Sequence, residues 1–176
     1  MSSNEAPQPA DTHVPIRDVR TGDAESIADI YNHYVRESIA TFEEQPVSAA
    51  EMGRRIESIQ KADLPWLVAG ESSADIVGFA YAAPWKHRSA YRFSTEITAY
   101  LAPGWNHQGV GSRLYEALIP RLQERGIHSV VATIALPNDA SVALHEKFGL
   151  EQVGLFTEQG CKFGRWIDVG YWQRLL

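Results

Sequence analysis

One short stretch, SVVATIAL at residues 129–136, limits the possible folds most strongly because nearly all of its residues are apolar. A strand without polar alternation is typical of a position buried on both faces, at the centre of a sheet covered by helices. The chain has 176 residues, of which 44% are hydrophobic, which is enough for one domain with a proper core. The stretch therefore favours a layered fold of helices and sheet.

The segments around this strand predict a mixed sheet. A helix is predicted over residues 108–125, with a kink at Pro120, and a second helix in NDASVALHEKFG follows the apolar strand. The predicted order is strand, two helices, three strands, helix, strand, helix and two strands. This order indicates an α+β protein with a mostly antiparallel sheet of six to seven strands, flanked by helices, and one parallel βαβ step.

Composition excludes several classes of protein. Residues 1–14, rich in Pro, Ser, Asn and Ala, are predicted to be a disordered tail, and residues 15–176 a single domain. We expect neither a secretory signal nor a membrane partner, because no apolar run has the required length. The net charge of -6 argues against nucleic acid. The chain has a single cysteine, Cys161, which favours a cytoplasmic protein. Because Cys161 lies in a predicted hairpin turn, we interpret its thiol as structural and not as a nucleophile.

The segment NHQGVGS, which connects a long predicted strand to a predicted helix, contains a glycine pair, Gly109 and Gly111. Glycine lets the main chain approach a ligand, and the N-terminus of a helix offers unpaired N–H groups to an anion. A plain turn is the alternative, because the segment is neither a P-loop nor a dinucleotide fingerprint. The main-chain groups expected to bind a diphosphate belong to His107, Gln108, Gly109, Val110, Gly111 and Ser112.

The segments NHQGVGS, LPNDASVALHEKFGL and GCKFGRWIDVGYWQ resemble, in this order, the GNAT family of N-acetyltransferases. The diphosphate loop of that family reads Q/R-x-x-G-x-G/A; its glycines match Gly109 and Gly111, whereas Asn106 replaces the Gln or Arg. AYAAPWKHRSAY and the C-terminal segments are similar to the phosphinothricin and methionine sulfoximine acetyltransferases of the family. The resemblance implies a GNAT fold with a splayed central strand pair, and acetyl-CoA as co-substrate.

Acetyl transfer to an amine needs a base for the amine and a proton for the leaving thiolate. Glu96 stands among good strand formers, where an acid is unusual, and the resemblance places it in the active site; a solvated strand position is the alternative. His145 shares a helix face with Asn138, seven residues earlier, so both could face the cofactor. Histidine titrates near neutrality, so His145 suits either the base that deprotonates the amine or the acid that protonates the thiolate. A histidine packed on the helix surface is the alternative. The division of labour between Glu96 and His145 stays open.

The resemblance also implies which residues contact the substrates. A bulge in the strand would part it from its neighbour and leave an N–H group free for the thioester oxygen. Basic side chains would bind the anionic groups of the acceptor, although a solvated basic loop is the alternative. Besides the glycine loop, the expected cofactor contacts are Ala99, Tyr100, Leu101, Asn106 and Asn138; the expected substrate contacts are Lys86, His87, Arg88, Glu96, Ile97 and Thr98, with Phe42 in the pocket wall.

These features predict a cytoplasmic N-acetyltransferase that uses acetyl-CoA and no metal. It would acetylate the α-amino group of a small amino-acid analogue, such as phosphinothricin or methionine sulfoximine, by direct transfer. Resembling enzymes are commonly homodimers, so we expect a homodimer. One alternative is an acetyltransferase for another small amine, which would favour an acidic pocket, whereas Lys86, Arg88 and Arg92 favour an anionic acceptor. The other is a non-catalytic CoA-binding module, which would not need Glu96 and His145.

Overall fold

The computed structural model describes residues 14–176, so the tail predicted at residues 1–14 lies outside the described residues except for its last position. Helices and strands follow one another in the predicted order. They are β1 (Ile16–Asp18), α1 (Ala24–Glu37), α2 (Ala49–Lys61), β2 (Trp66–Ala69), β3 (Gly78–Pro84), β4 (Ser94–Leu101), α3 (Val110–Glu124), β5 (Ser129–Ala135), α4 (Asp139–Lys147), β6 (Glu151–Lys162) and β7 (Arg165–Leu175).

The strands of the described chain form one sheet of seven, in the order β1-β2-β3-β4-β5-β7-β6. Neighbouring strands are antiparallel except β4 and β5, which run parallel and are connected through α3. The predicted α+β sheet with one parallel step is therefore confirmed. β5 is buried along its length apart from Thr133, as expected of a central strand with apolar residues on both faces.

Helix α3 packs against the first four strands and continues through Pro120 to Glu124. The loss of one main-chain hydrogen bond at the proline does not end the helix, because Leu118 and Leu122 on either side of it are fully buried. The N-terminus of α2 is capped by Ser48, whose hydroxyl accepts a hydrogen bond from the N–H of Glu51 at 3.2 Å.

The central strands β4 and β5 separate early. They pair only where residues 94–96 face residues 129–131, although β4 continues to Leu101 and β5 to Ala135. The register of β4 with β3 is uninterrupted from Leu101 to Thr95. The expected bulge in β4 is therefore absent from this pairing, and the splay arises because β4 diverges from β5 while it stays regular against β3.

The last two strands form a long hairpin whose outer strand, β6, lies at the edge of the sheet. Its turn is at Phe163 and Gly164, both of which have positive φ values. Cys161 was expected in the turn, but it lies within β6 with an exposed thiol. The reason is that β6 pairs with β7 as far as Lys162.

A buried carboxylate fixes the start of α1. Asp23 is fully buried, and its oxygens accept hydrogen bonds from Arg17 at 2.7 and 3.0 Å, from the Ser73 hydroxyl at 2.6 Å and from the main-chain N–H of Arg20 at 2.7 Å. Burial raises the pKa of Asp23, but the hydrogen bonds from Arg17, Ser73 and Arg20 outweigh it and lower the pKa to about 2.

We expect Asp23→Asn to lower the free energy of unfolding by about 2 kcal/mol at pH 7, and Asp29→Asn, on the exposed face of α1, to change it by less than about 0.5 kcal/mol. Because the folded pKa is depressed, this contribution is complete above about pH 4 and is lost as the pH falls toward 2. Urea denaturation between pH 7 and pH 3 measures it. A difference between wild type and Asp23→Asn that grew on acidification would contradict this account.

Candidate active site

The separation of β4 from β5 opens a cleft in the middle of the sheet. The N–H of Ala102 donates a hydrogen bond to the Val77 carbonyl at 2.8 Å. Even-numbered residues of this strand therefore direct their main-chain N–H and C=O groups toward β3. The N–H groups of Ala99 and Leu101 therefore point into the cleft, past the end of the β5 pairing. Of the predicted cofactor contacts, those that line the cleft are Ala99, Tyr100, Leu101, Asn106, Gly111 and Asn138.

The N-terminus of α3 adjoins this cleft. Gly109 precedes the helix with φ of 77°, and a Cβ at this position would meet no atom within 4 Å. Within residues 14–176, no protein group accepts a hydrogen bond from the main-chain N–H groups of residues 107–112. The Lys147 ammonium binds the Ser112 hydroxyl at 2.8 Å and adds positive charge beside them. An open row of donors with a nearby cation fits a diphosphate.

The two glycines of the loop serve different purposes. Gly109 provides the left-handed conformation before the helix, whereas a Cβ at Gly111 would meet the Leu144 side chain at 3.3 Å. Gly111 thus permits the close approach of α3 and α4 and lines the cleft. The side chains of Gln108 and Val110 do not face a ligand, since Gln108 donates to the Gly104 carbonyl at 2.8 Å and Val110 is buried.

A second pocket lies beside the cleft, and Thr98 and Tyr100 border both. Glu96 lies in its wall, half-buried, and within the described residues its carboxylate has no hydrogen-bond partner. Side chains of alternate β4 residues lie on one face of the sheet, which places Glu96 and Thr98 together. The loop at residues 39–42, which includes Phe42, also lines this pocket. Glu96 is therefore free to take a proton from a bound amine.

Three predicted substrate contacts lie elsewhere. Lys86, His87 and Arg88 line a cavity together with Thr95. Thr95 and Glu96 are neighbours in a strand, so they lie on opposite faces of the sheet. The loop after β3 thus turns away from Glu96, and in the described chain no Lys or Arg lines the Glu96 pocket. Ile97, also predicted as a substrate contact, lies in the cofactor cleft.

His145 lies in the cofactor cleft and not in the Glu96 pocket. Its Nδ1–H donates a hydrogen bond to the Ser141 carbonyl at 2.7 Å. Nε2 therefore carries the lone pair and accepts a hydrogen bond from the Tyr115 hydroxyl at 2.8 Å. Burial lowers the pKa of His145, and the Ser141 carbonyl only partly opposes this, which favours the neutral imidazole. His145 is therefore held on the cofactor side, with both nitrogens engaged.

Several residues of the site were not predicted. Tyr115 belongs to the buried stripe of α3 and reads as a core aromatic, so its bond to His145 has no signal in the sequence. Tyr34 of α1 also reaches the site, because its hydroxyl donates to the Leu101 carbonyl at 2.7 Å. Thr133 and Ala135 border both pockets because β5 continues beyond its pairing with β4.

Within residues 14–176, no cluster of three His, Cys, Asp or Glu side chains is placed to hold a metal ion. In the same part of the chain, no helix combines the length and the apolar character that crossing a membrane requires.

Coenzyme A binding tests the role of the α3 N-terminus. We expect Gly109→Ala to weaken binding roughly tenfold, because a side chain strains the left-handed backbone and displaces the amides. Gly126→Ala is a matched control at the other end of α3, with φ of 69° and open space around its Cβ. Both variants should lose about 1 kcal/mol of stability. Titration calorimetry showing equal affinity for both variants would rule out this site.

Comparison with known proteins supports this arrangement. The sequence profile of the acetyltransferase (GNAT) domain matches residues 16–170. The chain is 42% identical over 161 residues to the phosphinothricin N-acetyltransferase of Streptomyces viridochromogenes, covering 92% of this chain and 87% of that protein. It is 33% identical over 158 residues to the L-methionine sulfoximine/L-methionine sulfone acetyltransferase of Pseudomonas paraeruginosa, covering 90% of this chain and 92% of that protein.

Among solved structures, a GNAT superfamily phosphinothricin acetyltransferase from Sinorhizobium meliloti, in complex with AcCoA, matches with a TM-score of 0.89 and 37% identity. The match covers 93% of this chain and 88% of that one. The seven-stranded mixed sheet and its flanking helices agree with the fold of that structure. The chain therefore belongs to the GNAT family of N-acetyltransferases, which take the acetyl group from acetyl-CoA.

Proposed function

We propose that the protein acetylates the α-amino group of a small amino-acid analogue, such as phosphinothricin or methionine sulfoximine, by direct transfer from acetyl-CoA. The observation that carries the proposal is the position of Glu96, an unpartnered carboxylate in a pocket that joins the cofactor cleft. The substrate class follows from the related enzymes, which are named for acetylating these compounds. We further propose that residues 15–176 act as a single catalytic domain.

Each group in the cleft has a defined task in this reaction. Bound acetyl-CoA supplies the acetyl group as a thioester, and the amides at the start of α3 hold its diphosphate. The N–H groups of Ala99 and Leu101 face the position where negative charge develops on the carbonyl oxygen. Asn138 uses its side-chain oxygen to cap α4 at Ser141 N, which leaves its NH₂ group for the pantetheine arm.

Proton transfer divides between the two pockets. Glu96 takes the proton of the amine, because it lies in the acceptor pocket. His145 lines the cofactor cleft, and we place it beside the sulfur. Both of its nitrogens are engaged, by the Ser141 carbonyl and the Tyr115 hydroxyl, so the departing thiolate takes its proton from solvent. We assign amine deprotonation to Glu96.

One feature of the acceptor pocket favours a second candidate function. Within residues 14–176 its lining includes Glu96 and no Lys or Arg, so the carboxylate of an amino acid is left to hydroxyls such as those of Tyr81, Thr98 and Tyr100. A cationic acceptor such as a polyamine would suit this charge. Thiol release with phosphinothricin, methionine sulfoximine and spermidine as acceptors separates the two. The proposal requires the amino-acid analogues to have the higher kcat/KM.

The role of Glu96 has a direct test. We expect Glu96→Gln to lower kcat for acetylation by about 10²–10⁴-fold, because the amine loses its proton acceptor while the pocket keeps its shape. Glu116→Gln, an exposed position on α3, is the control and should retain full activity. Coenzyme A affinity should be equal in both. Undiminished turnover in Glu96→Gln would reject Glu96 as the base, and absence of turnover in the wild type would favour a CoA-binding module.

We also propose that the protein is a cytoplasmic homodimer. The cytoplasm suits a chain with a single cysteine, which cannot form an internal disulfide. The dimer is supported by the outer hairpin, which exposes apolar side chains on the edge strand β6 and on its neighbour β7. These are Val153, Leu155, Phe156 and Trp166, which are between 49% and 64% exposed.

Sedimentation equilibrium measures the state of association. We expect a mass twice the 19.6 kDa of one chain, and a shift toward one chain's mass in Phe156→Glu, which places a charge on the apolar surface of the hairpin. Phe93→Glu, an exposed aromatic residue outside the hairpin, is the control. A wild-type protein with the mass of one chain at micromolar concentration would refute the dimer.

A further inference from the structure

Lys162, at the end of β6, is a buried lysine that the proposed reaction does not use. It is 2% exposed, and within residues 14–176 it makes no salt bridge with a carboxylate. Its ammonium group donates instead to the main-chain carbonyls of Tyr34 at 3.3 Å, Ser38 at 2.7 Å and Thr41 at 2.7 Å. The three N–H donors of the group are thus all used on main-chain oxygens.

These carbonyls lie at the C-terminus of α1 and in the loop that follows it. The end of a helix carries unpaired carbonyls and a partial negative charge, which stabilise a cation. Lys162 therefore ties the last turn of α1 to residues 38–41 through hydrogen bonds from a charged donor, which are stronger than neutral ones. Without it, the carbonyls of Ser38 and Thr41 would lose this donor, whereas the Tyr34 carbonyl would keep the N–H of Ser38.

The segment that Lys162 holds is also a wall of the acceptor pocket. Residues 39–42 line the same pocket as Glu96, and Ala40 also borders the cofactor cleft. The same strand touches this wall a second time at Gly160, where a Cβ would lie 2.2 Å from the ring of Phe42. β6 thus contacts the loop at two points. The Lys162 ammonium binds the main-chain carbonyls of the loop, and Gly160 packs against the Phe42 ring.

We propose that Lys162 is a positioning residue for the acceptor, because its ammonium group sets the distance between residues 38–42 and Glu96. The inference rests on the function proposed above and adds the part of the chain that shapes the acceptor pocket. Lys162 touches neither substrate and acts through the three carbonyls. Its hydrogen bonds do not include the start of α3, where the diphosphate is expected.

Lys162→Met tests the proposal because methionine keeps an unbranched apolar stem and removes the charge. We expect the KM for methionine sulfoximine to rise about tenfold, while the KM for acetyl-CoA stays within twofold of wild type. Lys162→Arg should recover part of the loss, because a guanidinium can donate to the same carbonyls. Amide hydrogen exchange of residues 38–42 should accelerate at least tenfold in Lys162→Met, with or without substrates.

Gly160→Ala provides an independent test if Lys162→Met does not fold. The added methyl group displaces the Phe42 ring, so the acceptor KM should rise while the KM for acetyl-CoA is unchanged. Gly154→Ala is the matched control in the same strand, because its Cβ would meet only Tyr171, at 4.0 Å. It should behave as wild type.

The outcomes separate this proposal from the function on which it rests. A wild-type enzyme without activity toward amino-acid analogues would refute the proposed function, and the exchange of residues 38–42 would then decide the role of Lys162. Wild-type exchange of this segment in Lys162→Met would overturn the inference. So would an equal rise in both KM values in Lys162→Met or Gly160→Ala, since that indicates a general loss of structure.

Discussion

The parallel pairing of β4 with β5 ends after three residue pairs, and the rest of the site depends on this early end. Main-chain polar groups inside a protein are costly unless they have a partner. The Tyr34 hydroxyl satisfies the Leu101 carbonyl, but the N–H groups of Ala99 and Leu101 face the open cleft. The sheet therefore directs main-chain donors into the cleft at its centre, where we propose that they bind the thioester oxygen.

Different parts of the fold hold the two sides of this cleft. On the cofactor side, Gly111 allows α3 to lie against Leu144 of α4, and the Tyr115–His145 hydrogen bond joins the same two helices. On the acceptor side, the loop after α1 is held by the far end of β6 through Lys162. The acceptor wall thus depends on the C-terminal hairpin, whereas the diphosphate loop depends on α3.

Most of the fold and part of the site were predictable from the sequence, for identifiable reasons. The apolar run at residues 129–136 marked the central strand, and Gly109 and Gly111 marked the donor loop, because each depends on local composition. The turn of Lys86, His87 and Arg88 toward the other face of the sheet was not predictable, since a loop's direction depends on tertiary packing. Contacts across long separations were also hidden, such as that of Lys162 with Ser38, 124 residues away.

We propose that one cleft between β4 and β5 aims a thioester from the α3 side at an amine beside Glu96. A crystal structure with acetyl-CoA bound measures this most directly. We expect diphosphate oxygens about 2.7–3.2 Å from main-chain nitrogens of residues 107–112, and the thioester carbonyl oxygen facing the N–H groups of Ala99 and Leu101. A coenzyme bound elsewhere, with β4 and β5 paired as far as Ala135, would contradict the account.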